Sequence, residues 1–559
     1  MKPTTRFALN ATTGWLNVLV GGATSFWIVA FLVREFSPER YGITVLMSWL
    51  VVMLLMIDGG IRTAMGRQLA EHIAAGNLQR INELITSVLA GISVAAVAAQ
   101  LVALAAGGAI VDLLQITGPD RAVAMALVRY FVVPYALMQF VTALFGALVE
   151  AEHRFDLADA AHIAETICRA LLIALALGAL GLELHGWAAA MLVSKGIGLG
   201  LSAAVAWRVV PTLRLAGRNL RRNIVDELSG LASVTFVQQL VQKLTSQTDV
   251  PILSSLYGPA AAAFYNPALL LVTFAQPFSA VLSRQLRPLA TANFTRGRHE
   301  LIRELLVRGT RVGALVAVPF TVVFVAFAFP LVRFWLGEGY AATSWTLIAW
   351  AVADLASNAT SAQWQVMLGL NRVRLLTAVQ TIATVINIAA SITIIVWAKA
   401  AGWPMQHAIP AIVIPTIVVS WVQRTVITVH VARTLDVGLI HYLMHGFASA
   451  AVLGLGLTAL AFGVQLVLPA DTPATLIAEI GLTMLVWAPL AWWLGFDAVD
   501  RRRVLGVWNT VTERALRGSP DSRASSESAT AFSRPETGAS ADRLDDATVS
   551  DALDQTTEE

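Results

Sequence analysis

Several charged side chains of this 559-residue sequence stand inside apolar stretches. Arg129, Glu165, Arg169 and Lys195 form one group, with Asp58 shortly before it, and Lys243, Asp249, Asp354 and Arg424 form another. An ionised group in hydrocarbon costs a few kcal/mol or more, so such residues are expected to face one another or a watery cavity. Glu165 and Arg169 are four residues apart, on one helix face, where they can pair. That pairing leaves Arg129 and Lys195 uncompensated in the first group, whereas Lys243 and Arg424 are balanced by Asp249 and Asp354. Arginine offers a planar fork of donors and lysine a mobile point charge, both suited to phosphate. Arg129, Arg169 and Lys195 are therefore the candidates for holding a diphosphate in one cavity.

Lys243 is a further candidate for substrate binding, its competing assignment being an ion pair with Asp249 or Asp354. Gln239 and Gln242, with Gln238, Gln247, Asn358, Gln363, Gln365, Gln380 and Asn387, supply neutral partners for sugar hydroxyls or for neighbouring helices. Asp58, Glu165, Asp249 and Asp354 are the candidates for carrying a coupling proton or sodium ion. The sequence has no phosphate-cradling glycine loop, zinc pattern or hydrolytic triad, so no catalytic residue, metal, cofactor or use of ATP is expected. Cys168 stands alone, which excludes an internal disulfide.

The elements that position these residues are set by composition. With 57% hydrophobic and 13% charged residues, the chain lies far from a soluble domain. Its apolar residues gather in runs of about 20, the length a helix needs to cross roughly 30 Å of hydrocarbon. The expected fold is an all-α polytopic membrane protein of about fourteen spans. These are Trp15–Val33, Tyr41–Ile61, Ile85–Ala106, Ala122–Val149, Ala160–Leu182, Gly186–Trp207, Leu228–Leu256, Ala260–Leu282, Val312–Leu336, Ala342–Met367, Leu375–Trp397, Ala408–Val429, Leu439–Val467 and Thr475–Leu494. Pro134, Pro251, Pro410 and Pro415 interrupt backbone bonding within spans and are expected to kink them. Trp187, Trp207, Trp335 and Trp397 stand near span ends, as interface anchors do.

Loop charge orients the spans, because cytoplasmic loops hold the excess of Arg and Lys. Lys2, Arg6, Arg62, Arg67, Arg80, Arg154, Arg208, Arg214, Arg287, Arg298, Arg374 and Arg433 fall in one set of connections, and only Arg34, Arg40, Arg121, Arg333 and Lys399 in the other. Both termini are thus expected in the cytoplasm, the first helix being retained and no cleavage site following it. Residues 518–559 hold ten acidic and three basic side chains, so the net charge of +3 conceals a membrane part near +10. Basic loops facing anionic lipid account for that charge, and nucleic acid is not an expected partner. Val499–Arg517 is expected as an interfacial helix, and the tail beyond Gly518 as disordered.

Two of the basic connections repeat at a spacing of about 220 residues. Arg67, Leu69 and Ala70 match Arg287, Leu289 and Ala290; Gly76, Ile81, Glu83 and Leu84 match Gly297, Ile302, Glu304 and Leu305, one residue further on. Each links the second span of a six-helix block to its third, so the two blocks have the same orientation in the membrane. The stretches FSPERYGITVL, IDGGIRTAMGRQLAEHIAAGN, DVPILSSLYGPAAAAFYNPALL, RPLATANFTRG and PLVRFWLGEGY resemble the polysaccharide transporter branch of the multidrug/oligosaccharidyl-lipid/polysaccharide exporter superfamily. The resemblance covers roughly the first 400 residues. It implies two bundles, 1–207 and 228–433, joined by a basic linker at 208–227 and rocking around a central cavity. Spans thirteen and fourteen, within 434–498, are additional, and similar ones occur in the lipid II flippase branch, where they help form a groove for a lipid tail.

The expectation for function is a flippase in the cytoplasmic membrane. It would move an isoprenoid-diphosphate-linked oligosaccharide for polysaccharide biosynthesis, with membrane lipids and a polymerase or glycosyltransferases as partners. The alternative within the same superfamily is cation-coupled export of drugs, which would favour an acidic cavity. A membrane-embedded transferase is the third reading; it calls for paired carboxylates on a cytoplasmic loop, and the long loop near Ser283–Arg311 is basic.

Overall fold

The computed structural model describes residues 3–56, 61–221, 240–241, 243–245, 247–284, 286–496 and 501. Met1–Gly495 is one compact unit; Phe496–Glu559, with the expected interfacial helix and acidic tail, lies outside the described residues but for Phe496 and Arg501. No strand occurs among the described residues, and the all-α expectation holds. The helices are α1 (Pro3–Glu35), α2 (Pro38–Leu55), α3 (Ile61–Ala74), α4 (Leu78–Leu113), α5 (Asp120–Ala151), α6 (Phe155–Ala179) and α7 (Glu183–Val209). After the linker come α8 (Asp249–Tyr257), α9 (Pro259–Arg284), α10 (Leu286–Thr295), α11 (His299–Ala326), α12 (Ala328–Leu336), α13 (Ala341–Ala359), α14 (Ser361–Gly369), α15 (Val373–Ala400), α16 (Met405–Thr434), α17 (Leu439–Val467) and α18 (Pro473–Gly495).

Eleven of the described helices are long and apolar enough to cross a membrane. The seventh expected span is described mainly at its end, α8, and α9 stands for the eighth. The ninth is longer and broken. It begins at His299, and at Phe327 the helix yields to α12, the freed Ala326 carbonyl accepting a bond from Gln465 Nε2 on α17 (2.7 Å). The tenth splits at Thr360, whose hydroxyl returns to the Ala356 carbonyl (2.7 Å) and competes with the helical ladder. Two of the four prolines sit at such interruptions. A π-helical turn, Val128–Val132, precedes Pro134, which has no N–H to give, and α16 is broken at Ile412 beside Pro410.

The repeated connection is a repeated structure. α3 and α10 each end in the same turn: Gly76 and Gly297 both have φ of 66°, a left-handed conformation that costs glycine nothing. Gly76 N–H donates to Ile73 and Asn77 N–H to His72, as Gly297 does to Phe294 and Arg298 to Asn293, the doubled bonds of a Schellman cap. The register through turn and helix is 221 residues, from Ile81 to Ile302 and from Ile85 to Leu306, each at most 1% exposed. In that register Leu69 corresponds to Ala290, both fully buried, while the Leu289 aligned with it in the sequence reading points outward. Burial in a common core overrides residue likeness on the exposed face.

Around these turns two satellite cores recur. Leu69, Ile81, Ile85, Phe145, Leu148 and Val210 knit α3, α4, α5 and α7, and Ala290, Ile302, Leu306, Met367 and Val431 knit α10, α11, α14 and α16. The second core also takes in Tyr442 of α17, whose hydroxyl meets Thr310 (2.7 Å) and accepts from Gln363 (2.8 Å). That is how the additional helices are tied to the second half. The halves themselves meet along α2 and α9, whose close packing forms the centre of the main core.

Candidate functional site

Between the halves lies a cavity of about 370 Å³. α1 contributes Ser25 and Leu32; α2 contributes Tyr41, Thr44, Ser48 and Trp49; α6 contributes Arg169; α7 contributes Trp187; and the second half contributes Gln247, Val250 and Asn266. Among the described residues of the lining Arg169 is the sole charged one, set among hydroxyls, amides and aromatic faces. Trp187, read from its position near a span end as an interface anchor, is buried at 2% exposure and lines this cavity. Trp207 and Trp397 remain exposed, as anchors are.

The halves are stitched together at the cavity wall. Asn266 Nδ2 donates to Tyr41 Oη (3.2 Å), Trp49 Nε1 to the Gln247 carbonyl (2.7 Å), and Trp335 Nε1 on α12 to the Phe26 carbonyl on α1 (2.9 Å). In the first turns of α2 and α9 the approach is closer still, because a Cβ on Gly42 would strike the Pro259 carbonyl. Only glycine leaves the two backbones room.

The three candidate cations separate. Lys195 Nζ lies 2.5 Å from Glu165 Oε1, both side chains 3% exposed, so the anion assigned to Arg169 from sequence is held by a lysine of the neighbouring helix. The reason is packing: α6 and α7 run side by side, and Gly198, one turn beyond Lys195, leaves the space the Glu165 carboxylate fills. Lys195 also lies 5.8 Å from the ring centroid of Tyr135. The count of two uncompensated cations in the first half therefore fails for Lys195, and Arg169 is the one released towards the cavity. Arg129 is elsewhere. It sits in the π-helical turn of α5, its side chain against Gly107 of α4, its carbonyl accepting from Gln100 (2.6 Å) and its Nε buried without a partner among the described residues. It does not line the cavity.

In the second half the carboxylates have neutral partners. Asp249 accepts from Tyr265 Oη (2.6 Å), which accepts in turn from Trp350 Nε1 (3.0 Å). Asp354 accepts from Gln276 (3.2 Å) and Asn358 (2.5 Å), close to Arg424, which donates to Ser357 (3.2 Å) and lies over the Trp364 ring. Lys243 is exposed, and neither carboxylate's described bonds run to it. Three of the neutral candidates bond helix to helix: Gln363 to Thr428 and Tyr442, Gln380 to Gln423, Asn387 to Thr416. Gln247 and the unforeseen Asn266 line the cavity instead. Asp58, Gln238, Gln239 and Gln242 lie outside the described residues. Tyr41, Trp49 and Asn266 were not singled out in the sequence; Tyr41 and Asn266 fall in stretches carrying the family resemblance, and Trp49 lies between two of them.

Two matching helical halves closing on a cavity lined by Arg169 define the class: a multi-pass membrane transporter of the multidrug/oligosaccharidyl-lipid/polysaccharide exporter fold. Residues 43–470 match the family model described as Lipid II flippase MurJ, and the chain belongs to that family. The superfamily read from sequence therefore holds. A solved lipid II flippase MurJ in an inward closed conformation is similar at a TM-score of 0.63 and 13% identity, covering 87% of this chain and 98% of that one. An inward-facing MATE multidrug transporter of the MOP superfamily gives 0.57 at 15% identity, covering 78% and 96%. A MATE transporter in complex with MaL6 gives 0.52 at 13%, covering 75% and 95%. Comparison with curated proteins gives no match.

Proposed function

We propose that this protein flips an isoprenoid-diphosphate-linked saccharide across the cytoplasmic membrane by alternating access. The observation that carries the reading is the cavity shared by both halves, whose one charged side chain among the described residues, Arg169, is the type that grips a diphosphate with two parallel bonds. Amides and hydroxyls from Asn266, Gln247, Thr44 and Ser48 suit a sugar head, and Trp49 and Trp187 offer flat faces to its rings. The family's name makes lipid II the first candidate substrate, and an oligosaccharide for an exported polysaccharide the second. A cationic drug is disfavoured, since no carboxylate stands among the described residues of the lining. Residues 1–207 and 228–433 act as the moving halves, and no covalent bond is broken.

Arg169→Ala is expected to slow transport of a labelled lipid-linked saccharide in vesicles about 10- to 100-fold, matching the loss of a charge-assisted bond of about 1.5–3 kcal/mol. Arg169→Lys should fall between, keeping the charge and losing the fork. Wild-type transport by the alanine variant would remove the cationic-site reading.

The loop charges support cytoplasmic termini, and with that orientation the turns at Gly76 and Gly297 would face inward and the close approach of Gly42 to Pro259 would be the outer closure. Reporter fusions after Arg80 and Arg298 should score as cytoplasmic, and fusions after Arg40, Asp120 and Asp471 as external. A reversed pair would refute this topology.

A further inference from the structure

The additional helices carry a carboxylic group that the transport reading does not use. Glu479 stands on α18 about 9 Å along the axis from Pro473. It is 1% exposed, and both carboxylate oxygens are buried without a hydrogen-bond partner among the described residues. Thr483, one turn on, turns its hydroxyl to the Glu479 backbone carbonyl (2.8 Å) and leaves the side chain unserved. α18 packs on α17 and touches α11 and α12.

None of these elements brings a counter-charge. α17 has no titratable residue between His445 and Leu468, and α11 none beyond Arg311, which holds the His445 carbonyl at the far end (2.7 Å). Arg333 on α12 is engaged with Glu338 (3.8 Å). α18 has no other ionisable group, and Asp471, just before its first turn, is exposed and of the same sign. Ionised, Glu479 would hold a net charge and several lone pairs without a described protein partner in a buried site, at a cost of several kcal/mol. A bound proton removes the charge.

We propose that Glu479 is a proton-binding site that governs the docking of α18. While α18 is packed against α11 and α17 the side chain is the neutral acid. On undocking towards the Asp471 end, its O–H bond gives the proton to water and the carboxylate is hydrated, so proton release and undocking are one event. The site is separate from the cavity and independent of which substrate is carried.

Infrared spectra of the full chain in phospholipid vesicles at pH 7, taken as parent minus Glu479→Gln, should show the carbonyl stretch of an un-ionised carboxylic acid. A second measurement needs no variant: dicyclohexylcarbodiimide reacts with protonated carboxyls, and peptide mapping locates the adduct. A carboxylate in water is almost wholly ionised at neutral pH, so Glu479 should label on the order of 100-fold more than the exposed Glu300. As pH is raised, labelling and the protection of α18 amides from hydrogen exchange should fall together. Carboxylate bands alone, labelling no greater than that of Glu300, or protection that persists after labelling is lost would each overturn the proposal.

Discussion

Lys195→Ala is expected to destabilise the protein by about 3–5 kcal/mol, because it strands the Glu165 carboxylate in a buried site. The geometry leaves little room for rescue by water: the two charged atoms are 2.5 Å apart and both side chains are 3% exposed. Unfolding in detergent, followed by loss of helix signal, reads the effect. Replacing both partners by apolar residues of similar size, Lys195→Met with Glu165→Leu, should recover most of the stability, since the desolvation cost of the pair disappears with the pair. Transport should recover with it. A stable double variant that transports nothing would return Lys195 to the substrate site, and a Lys195→Ala protein within about 1 kcal/mol of the parent would deny the pair its structural role.

Gly42→Val should abolish closure of the outer end. The new Cβ would meet the carbonyl of Pro259, which is backbone at the start of α9 and has no rotamer to yield. Overpacking of this kind costs about 1–3 kcal/mol, enough to shift a two-state equilibrium about 5- to 150-fold. Transport should fall at least about tenfold at unchanged protein level. In a background with Cys168→Ser, a thiol at Ser48→Cys on the cavity wall should become reactive towards an impermeant maleimide applied from outside. Normal transport with an unreactive thiol would show that the contact is not part of the gate.

What the sequence reveals is what a local rule controls. Span length follows from the thickness of hydrocarbon, and the repeat shows itself because a Schellman cap demands glycine at residues 76 and 297. The helix break at Phe327 is announced by Pro330, which has no N–H to give the Ala326 carbonyl four residues before it, whereas the break at Thr360 is announced by no glycine or proline at that position and goes with a hydroxyl turning back. The site is less legible for a related reason. Within one helix Glu165 has a cation four residues away, but the structure pairs it with a lysine on the next helix, a choice made by interhelical packing. One clue lies in the sequence: Gly198 follows Lys195 by three residues, on the same face, as a cavity beside a buried charge requires. Trp187 has no such clue, since a tryptophan near a span end reads alike whether it meets lipid or a cavity.

The contact between α2 and α9 joins elements that hold the same place in the two halves, Pro38 and Pro259 being related by the 221-residue register. Such a seam is the interior counterpart of a homodimer interface, where a contact between one pair of positions obliges its mirror. In that register the position reciprocal to Gly42 is residue 263 and that reciprocal to Pro259 is residue 38, and residue 263 is an alanine, fully buried. The two copies have diverged at the seam, one needing no side chain and the other tolerating a methyl group. A single protein chain can accept that lopsidedness, whereas a dimer of identical subunits would have to make both contacts alike, and the gate is accordingly free to seal harder on one side of its axis than on the other.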